Sequence, residues 1–347
     1  VDRQCDWLQA WTTLNNSLQH RSEPYLYKKT FLSNMLSTKQ MELLPQVSQS
    51  HTVASGTVNR LMDSGGGSPT VSENPKKHNP IKHNNKLVIA SWNIKTLLDP
   101  QHKNSISIPR RTAVIARELK RYKVDIAALQ ETHLKNSGQL EERNAGYTYL
   151  WSGCEENEQN HYGVAICVRT ELMKKGIISE PCCYSDRMMS VQILNQNNET
   201  TFIACYAPTM MADTHTVESF YKELNDVIEK IPKKNGIILA GDFNARVGEK
   251  QSSMEEAIGP HSIGKRNENG LRLLNICTQQ NLRIANTYFQ MKNKYKTTWQ
   301  HPGSKQWHQI DYIITRARDT KHVLRCRSMR GAHCETDHNL VRATMKL

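Results

Sequence analysis

No C-x-x-C pair occurs in the chain, no apolar run approaches the ~18 residues of a membrane-spanning helix, and no charged start with an apolar core marks a signal peptide. The nine cysteines are odd in number and scattered, and adjacent Cys182 and Cys183 suit neither a disulfide framework nor a zinc site. Reduced, partly buried thiols and an intracellular protein without a membrane partner are therefore expected. G-x-S-x-G and the P-loop are missing too, which removes the serine-hydrolase elbow and the Walker-type phosphate cradle. Acidic residues are in short supply: 33 Asp and Glu stand against 46 Lys and Arg, a formal charge of +13 over 347 residues. That sign favours a polyanionic partner, nucleic acid or an acidic membrane face. Only +2 of it lies before Pro80, so the basic part follows.

Residues 1–85 are rich in Ser, Asn, Gln and Thr, carry SGGGSP at Ser64 to Pro69, and close in NPKKHNPIKHNNK. Such polarity cannot bury enough apolar surface for a core, and a disordered or weakly structured arm is expected, with a short helix near Thr30 to Leu44. An opening Val1 in place of Met is consistent with a fragment or a processed product.

From Leu87 onward the texture changes to strand-length apolar runs: LVIASWNI, DIAALQE, YTYLWSG, VAICVR, MMSVQIL, TFIACYAP, GIILAGDFN, LRIANTYF, IDYIIT and HNLVRATMKL. Three amphipathic helices are interleaved at Arg110–Tyr122, Val217–Ile231 and Asn269–Gln280, the last started by Asn267 or Asn269. Ten strands exceed one small sheet. The pattern predicts an α/β domain over 86–347 with two packed mixed β-sheets flanked by helices, a four-layer α/β sandwich.

Several runs end on a polar group. LVIASWN delivers Asn93, DIAALQE delivers Glu131, GIILAGD delivers Asp242 with Asn244 two residues on, WHQID delivers Asp311, and ETDHNLV sets Asp337 and His338 before the last run. One Asp or Asn at a strand end is most simply a turn residue. Five such places with a lone histidine ask for a common cause, and period two puts Asp242 and Asn244 on one face if the strand continues. Carboxylates, amides and one imidazole are a hard, oxygen-rich donor set for a divalent cation, suited to phosphodiester hydrolysis.

At these residues a family resemblance appears. SWNI, LQET, YAP, GDFNARVG, QIDYI and TDH stand in the order and at about the separations of the endonuclease/exonuclease/phosphatase superfamily, which the chain resembles from roughly Lys86 to Leu347. The strings NENGLRLLNICTQQNLRIANTYF and TTWQHPGSKQWHQIDYI are similar to the endonuclease of long interspersed retrotransposons of the RTE/BovB type. The resemblance implies a DNase I-like fold and a hydrolase of the apurinic/apyrimidinic endonuclease type, which nicks DNA to leave a 3′ hydroxyl. It implies Mg²⁺, with Mn²⁺ as a substitute, held by Glu131 beside Asn93, with Asp337 adding a contact. Within it His338 resembles the histidine on the scissile phosphate, Asp311 the acid that orients it, Asp242 the group that activates water, Asn244 its orienter, and Tyr206 a phosphate-contacting phenol. Lys95 stands where the repair branch usually carries an acid, which argues against abasic-site repair as the task.

Lys95, Arg246, Lys265 and Arg266 are candidates for a phosphate-tracking surface, joined by Asn269, Thr298 and Trp299 as further DNA contacts. Trp92 reads as core. His333, Cys334 and Cys326 with His338 follow no zinc spacing. The expected partner is the DNA backbone with low sequence specificity, bound by a monomeric nuclear protein. A catalytically silent nucleic-acid-binding or scaffold protein and a phosphoinositide phosphatase-like enzyme are the alternatives.

Overall fold

The computed structural model describes residues 86–99, 109–159, 161–195 and 199–346. The polar arm and the helix expected at Thr30 to Leu44 lie outside the described residues. Among the described residues no helix is long and apolar enough to cross a membrane.

One sheet has the strand order β14 (Val323–Met329), β15 (Leu340–Lys346), β1 (Lys86–Asn93), β2 (Ile126–Gln130), β5 (Val164–Arg169), β4 (Tyr147–Ser152), β3 (Ser137–Glu142). The other runs β10 (Leu282–Ile284), β13 (Asp311–Arg316), β9 (Gly236–Asp242), β8 (Glu199–Tyr206), β7 (Met188–Leu194), β6 (Cys182–Ser185). Each sheet contains one parallel pair, β1 with β2 and β8 with β9, so both are mixed. A two-stranded ribbon, β11 (Trp299–Gln300) with β12 (Trp307–His308), stands apart.

Alternation along the strands builds the layers. Ile89, Ile126 and Ala128 of the first sheet share a buried cluster with Phe202, Ala204, Ile238, Ala240 and Ile313 of the second, the packed sheet faces. On the reverse side of the first sheet, Ala90, Trp92, Ala127 and Leu129 meet Ile115, Ala116 and Leu119 of α1 (Arg111–Arg121). On the reverse side of the second, Ile237, Leu239, Tyr312 and Ile314 meet helices α3 (Thr214–Lys230) and α4 (Glu268–Gln279). A short α2 (Thr170–Lys174) follows β5. The four-layer α/β sandwich expected from the sequence is the observed architecture.

The helices keep their expected places with small shifts of cause. Asp213 accepts from the Thr216 backbone N–H at 2.8 Å and starts α3 three residues earlier than the apolar spacing predicts. Asn267, not Asn269, caps α4, accepting from Gly270 N–H at 2.8 Å. The strand expected at LRIANTYF stops at Ile284 and becomes a 3₁₀ turn over Ala285–Tyr288. There the Asn286 side chain takes over the strand's pairing, donating to the Asp311 carbonyl at 3.1 Å and accepting from Ile313 N–H at 2.8 Å.

Strands β3, β6 and β14 carried no apolar run, and all three lie at sheet edges. An edge strand has a neighbour on one side only and buries less, so its sequence need not be apolar. All eight described cysteines are free.

Helix α4 docks through Gly270, where an added Cβ would stand 1.9 Å from the Arg246 carbonyl oxygen, a backbone atom. Gly270→Ala is thus expected to destabilise the domain by roughly 1–3 kcal/mol, although Ala is the better helix former. Chemical denaturation of the two proteins checks this.

Candidate active site

The alternation that builds the inter-sheet core continues to the strand ends and delivers polar groups into the same gap. On β9 the inward series Ile238, Ala240 ends at Asp242; on β13 Ile313 is followed, toward the strand start, by Asp311; on β8 Phe202, Ala204 ends at Tyr206. The register sets Asp311 opposite Asp242 and Asp242 opposite Tyr206, so three polar side chains form one row across the second sheet. On the facing sheet, the series Leu87, Ile89 reaches Asn93.

Asn93 joins the two sheets. Its Nδ2 donates to Glu131 Oε1 at 2.7 Å and to Asp242 Oδ2 at 3.1 Å, while its Oδ1 accepts the Lys95 backbone N–H at 3.1 Å. Tyr206 Oη donates to the same Glu131 Oε1 at 2.8 Å. By alternation Glu131 would follow Leu129 to the helix side of its sheet. It adopts φ +57° instead, and that left-handed turn past the end of β2 sends the carboxylate inward. Lys95, His133 and Asn244, also at strand exits around this centre, have φ of +63°, +55° and +45°.

His338 completes the row. Its Nδ1 lies 3.1 Å from Asp311 Oδ2, and its Nε2 is 3.9 Å from Asp242 Oδ2. Asp242, Asp311 and His338 each offer a ligand atom within 4.8 Å of the others, and all three are buried. Burial and the neighbouring Asp311 charge push the Asp242 carboxyl up to about 7. Burial alone would push the His338 ring down, but Asp311, Asp242 and Asp337 overcome it and hold the ring up at about 9. Burial and the Glu131 charge push the Tyr206 phenol well above its ordinary value.

The remaining expected residues separate into those at this centre and those outside it. Asn244 does not extend β9, which ends at Asp242; its backbone N–H donates to Asp242 Oδ1 at 2.9 Å and its Nδ2 to the Ala207 carbonyl at 2.9 Å. It therefore orients Asp242 through the backbone, not by a side chain on the same strand face. Asp337 carries an expected metal contact, yet its Oδ1 pairs with Lys95 Nζ at 3.3 Å and its Oδ2 accepts from Trp299 Nε1 at 3.0 Å. Trp299 also lies over His338, with ring centroids 6.1 Å apart.

Among the expected DNA contacts, Thr298 has no surface to offer: it is fully buried, and its Oγ1 accepts from Ile310 N–H at 3.1 Å and Asp311 N–H at 3.2 Å. Asn269 is likewise buried and donates to the Pro208 and Asn244 carbonyls, which pins helix α4 to the Asn244 loop. Arg266 pairs with Glu255 at 2.8 Å and donates to the Val247 carbonyl, a structural clamp. Lys95 and Lys265 are exposed and Arg246 is half-buried.

Two groups escaped the sequence reading. Thr336 donates to the Asn93 carbonyl at 2.9 Å and accepts from His338 N–H at 3.2 Å, and TDH was its only signal. Arg187 lies 3.6 Å from the Tyr162 ring centroid and 5.4 Å from that of Tyr206; a lone arginine before MMSVQIL gave no hint of it.

Residues 90–338 match the model of the Endonuclease/Exonuclease/phosphatase family. The bovine craniofacial development protein 2 is 31% identical over 260 residues, 75% of this chain and 41% of that protein; the chain spans about two fifths of the length of the curated relatives it matches. The AP endonuclease LMAP of Leishmania major superposes with TM-score 0.54 at 17% identity, over 76% of this chain and 88% of that one. The endonuclease domain of TRAS1, a telomere-specific non-LTR retrotransposon, gives TM-score 0.51 at 17% identity, over 75% and 99%. At these identities the solved structures establish a shared fold.

Because the folded-state pKa of His338 is raised from 6.5 to about 9, the stability its protonated ring contributes is complete below about pH 6.5 and disappears as pH rises through about 9. In the metal-free protein its ring protons should titrate near pH 9 by NMR. Asp311→Asn should move that midpoint down.

Proposed function

This chain belongs to the endonuclease/exonuclease/phosphatase family, and within it we propose a divalent-cation-dependent DNA endonuclease of retrotransposon origin that nicks one strand and leaves a 3′ hydroxyl. The observation that carries this reading is the Asn93 amide, which holds Glu131 of one sheet and Asp242 of the other beside the His338–Asp311 pair. Carboxylates, an amide and a charged imidazole at one rim are the set that a phosphodiester requires.

The donor set suits a hard cation. Cysteine is absent from it, Glu131, Asp242 and Asp311 line it, and burial with the Asp311 charge holds the Asp242 carboxyl up near 7. Glu131 would hold the ion through Oε2, since Asn93 Nδ2 and Tyr206 Oη both donate to Oε1. Asp242 and Asp311 lie close enough to share in it. Mg²⁺, which prefers oxygen donors and retains waters, is the proposed ion, with Mn²⁺ as substitute. Bound there, it would supply positive charge against the phosphate.

The protein's own groups do the rest. Asp242 takes the proton from the attacking water, and the Asn93 amide and the Asn244 N–H orient its two oxygens. His338, charged through Asp311, places Nε2 toward the row and binds a non-bridging phosphate oxygen. Tyr206 holds Glu131 in place. Exposed Lys95 and Lys265 meet the DNA backbone. Lys95 also neutralises Asp337, so that carboxylate serves as an anchor for Trp299 and Lys95 and not as an ion ligand. DNA as substrate implies work in the nucleus.

Conversion of supercoiled plasmid to the nicked circle tests the reading. With Mg²⁺ the wild type should nick and EDTA should abolish nicking, while Glu131→Ala and His338→Ala should lose on the order of 10²–10⁴-fold in rate. Equal nicking by the variants would remove the assigned centre, and silence of every form would favour a binding or scaffold role. DNA affinity of the metal-free protein should fall steeply with added salt, read by fluorescence anisotropy; a flat response would sink phosphate-led binding.

A further inference from the structure

The positive charge is not spread evenly. Between Asn281 and Cys334 stand eleven Lys and Arg but only Asp311 and Asp319, of which Asp311 is buried in the centre and Asp319 pairs with Arg318. Strand β14, the open edge of the first sheet, runs through this segment. It carries Arg325 and Arg327, with Arg330 in the turn beyond. Among the described residues no ion pair involves any of the three. Arg327 sits directly across the ladder from Arg342, a like-charge pairing that costs stability. Burial pushes the Arg342 guanidinium pKa down, and the charges of Arg325 and Arg327 add to this against the opposing pull of Asp125.

These arginines are also stacked. The Arg327 guanidinium lies 4.0 Å from the centroid of the Tyr295 ring, which Lys294 approaches at 5.1 Å, and that of Arg330 lies 4.5 Å from the centroid of Trp307. Tyr295, Trp307 and Arg327 are half-buried and Arg330 is exposed, so two flat cationic ledges face solvent. Trp307 pairs with Gln300 in the ribbon whose neighbouring Trp299 lies over His338. The ledges therefore continue from the candidate centre along the ribbon to the sheet edge.

We propose that the Tyr295–Arg327 and Trp307–Arg330 ledges form a track for an unpaired DNA strand next to the nicking centre, with bases stacked on the guanidinium planes and phosphates met by Arg325 and Lys294. A duplex offers phosphates to such a surface but no free base faces, and an acidic peptide has no use for stacked plates. Alternating charge and planar surface is what a single strand needs. The track extends the DNA-endonuclease reading to a DNA that is partly unwound or tailed beside the cut.

The test is binding without catalysis, in EDTA, so that a chain with no nuclease activity still gives an answer. Fluorescence anisotropy compares a blunt duplex with the same duplex carrying a single-stranded tail. The wild type should prefer the tailed DNA, and R327A/R330A should lose roughly tenfold or more on it, as expected for two lost base stacks, with the blunt duplex changed far less. R327K/R330K retains the charge without the plane and should lose the tail preference as well. Equal loss on both DNAs, full rescue by lysine, no preference in the wild type, or displacement of the tail by polyglutamate as readily as by oligonucleotide would each overturn the proposal. Unchanged near-ultraviolet circular dichroism of both variants excludes misfolding as the cause.

Discussion

Asp311 and Asp242 stand directly opposite each other on adjacent antiparallel strands, both buried, and two like charges in that position repel. The rest of the centre answers that repulsion. His338 lies against both and is held protonated by them; Asn93 and Asn244 donate to Asp242; Thr298 braces the backbone at Asp311. Even so the Asp242 carboxyl stays near 7. A site that leaves a buried acid so poorly compensated is arranged for a positive guest or for a proton in transit, and catalysis on a phosphodiester uses both.

The backbone bears its own cost around this row. Lys95, Glu131, His133 and Asn244 leave their strands in the left-handed region, uncommon for residues with a Cβ. At Glu131 the effect is plain: the turn reverses the inward and outward order that β2 would have imposed, and without it the carboxylate would face helix α1. The second charged region, at the edge strand β14, follows the same logic at the surface. There Arg327 and Arg342 face each other in the ladder, Asp125 offsets the charge of Arg342 alone, and Arg327 has no ion-pair partner among the described residues, so a phosphate-bearing strand suits it as counter-ion.

Legibility followed burial. Interior strands showed themselves by apolar runs, and the helices by spacing and caps, because each element there must satisfy a core on a regular period. Edge strands β3, β6 and β14 escaped, as did the exchange of a strand for the Asn286 side chain, since exposure on one side relaxes the apolar demand. Of the centre, the acids and the lone histidine stood out at strand ends. The resemblance paired Asp311 with His338, and the two do meet at 3.1 Å; Asp337, expected to add a metal contact, is tied to Lys95 and Trp299, which no local pattern announced. Thr298 and Asn269, plausible surface contacts by residue type, turned out to be internal braces.

From its sequence alone the chain declared two sheets, flanking helices and a set of acids gathered at strand ends, because alternation and spacing are local properties that any core of this kind imposes. Tertiary structure decided which groups bridge the two sheets and which acids are tied to other partners. The bond from Trp92 to the His338 carbonyl joins residues 246 positions apart, and Asn93 reaches Asp242 over 149. Contacts of that range are set by strand order and register between two packed sheets, and no local pattern of side chains encodes either.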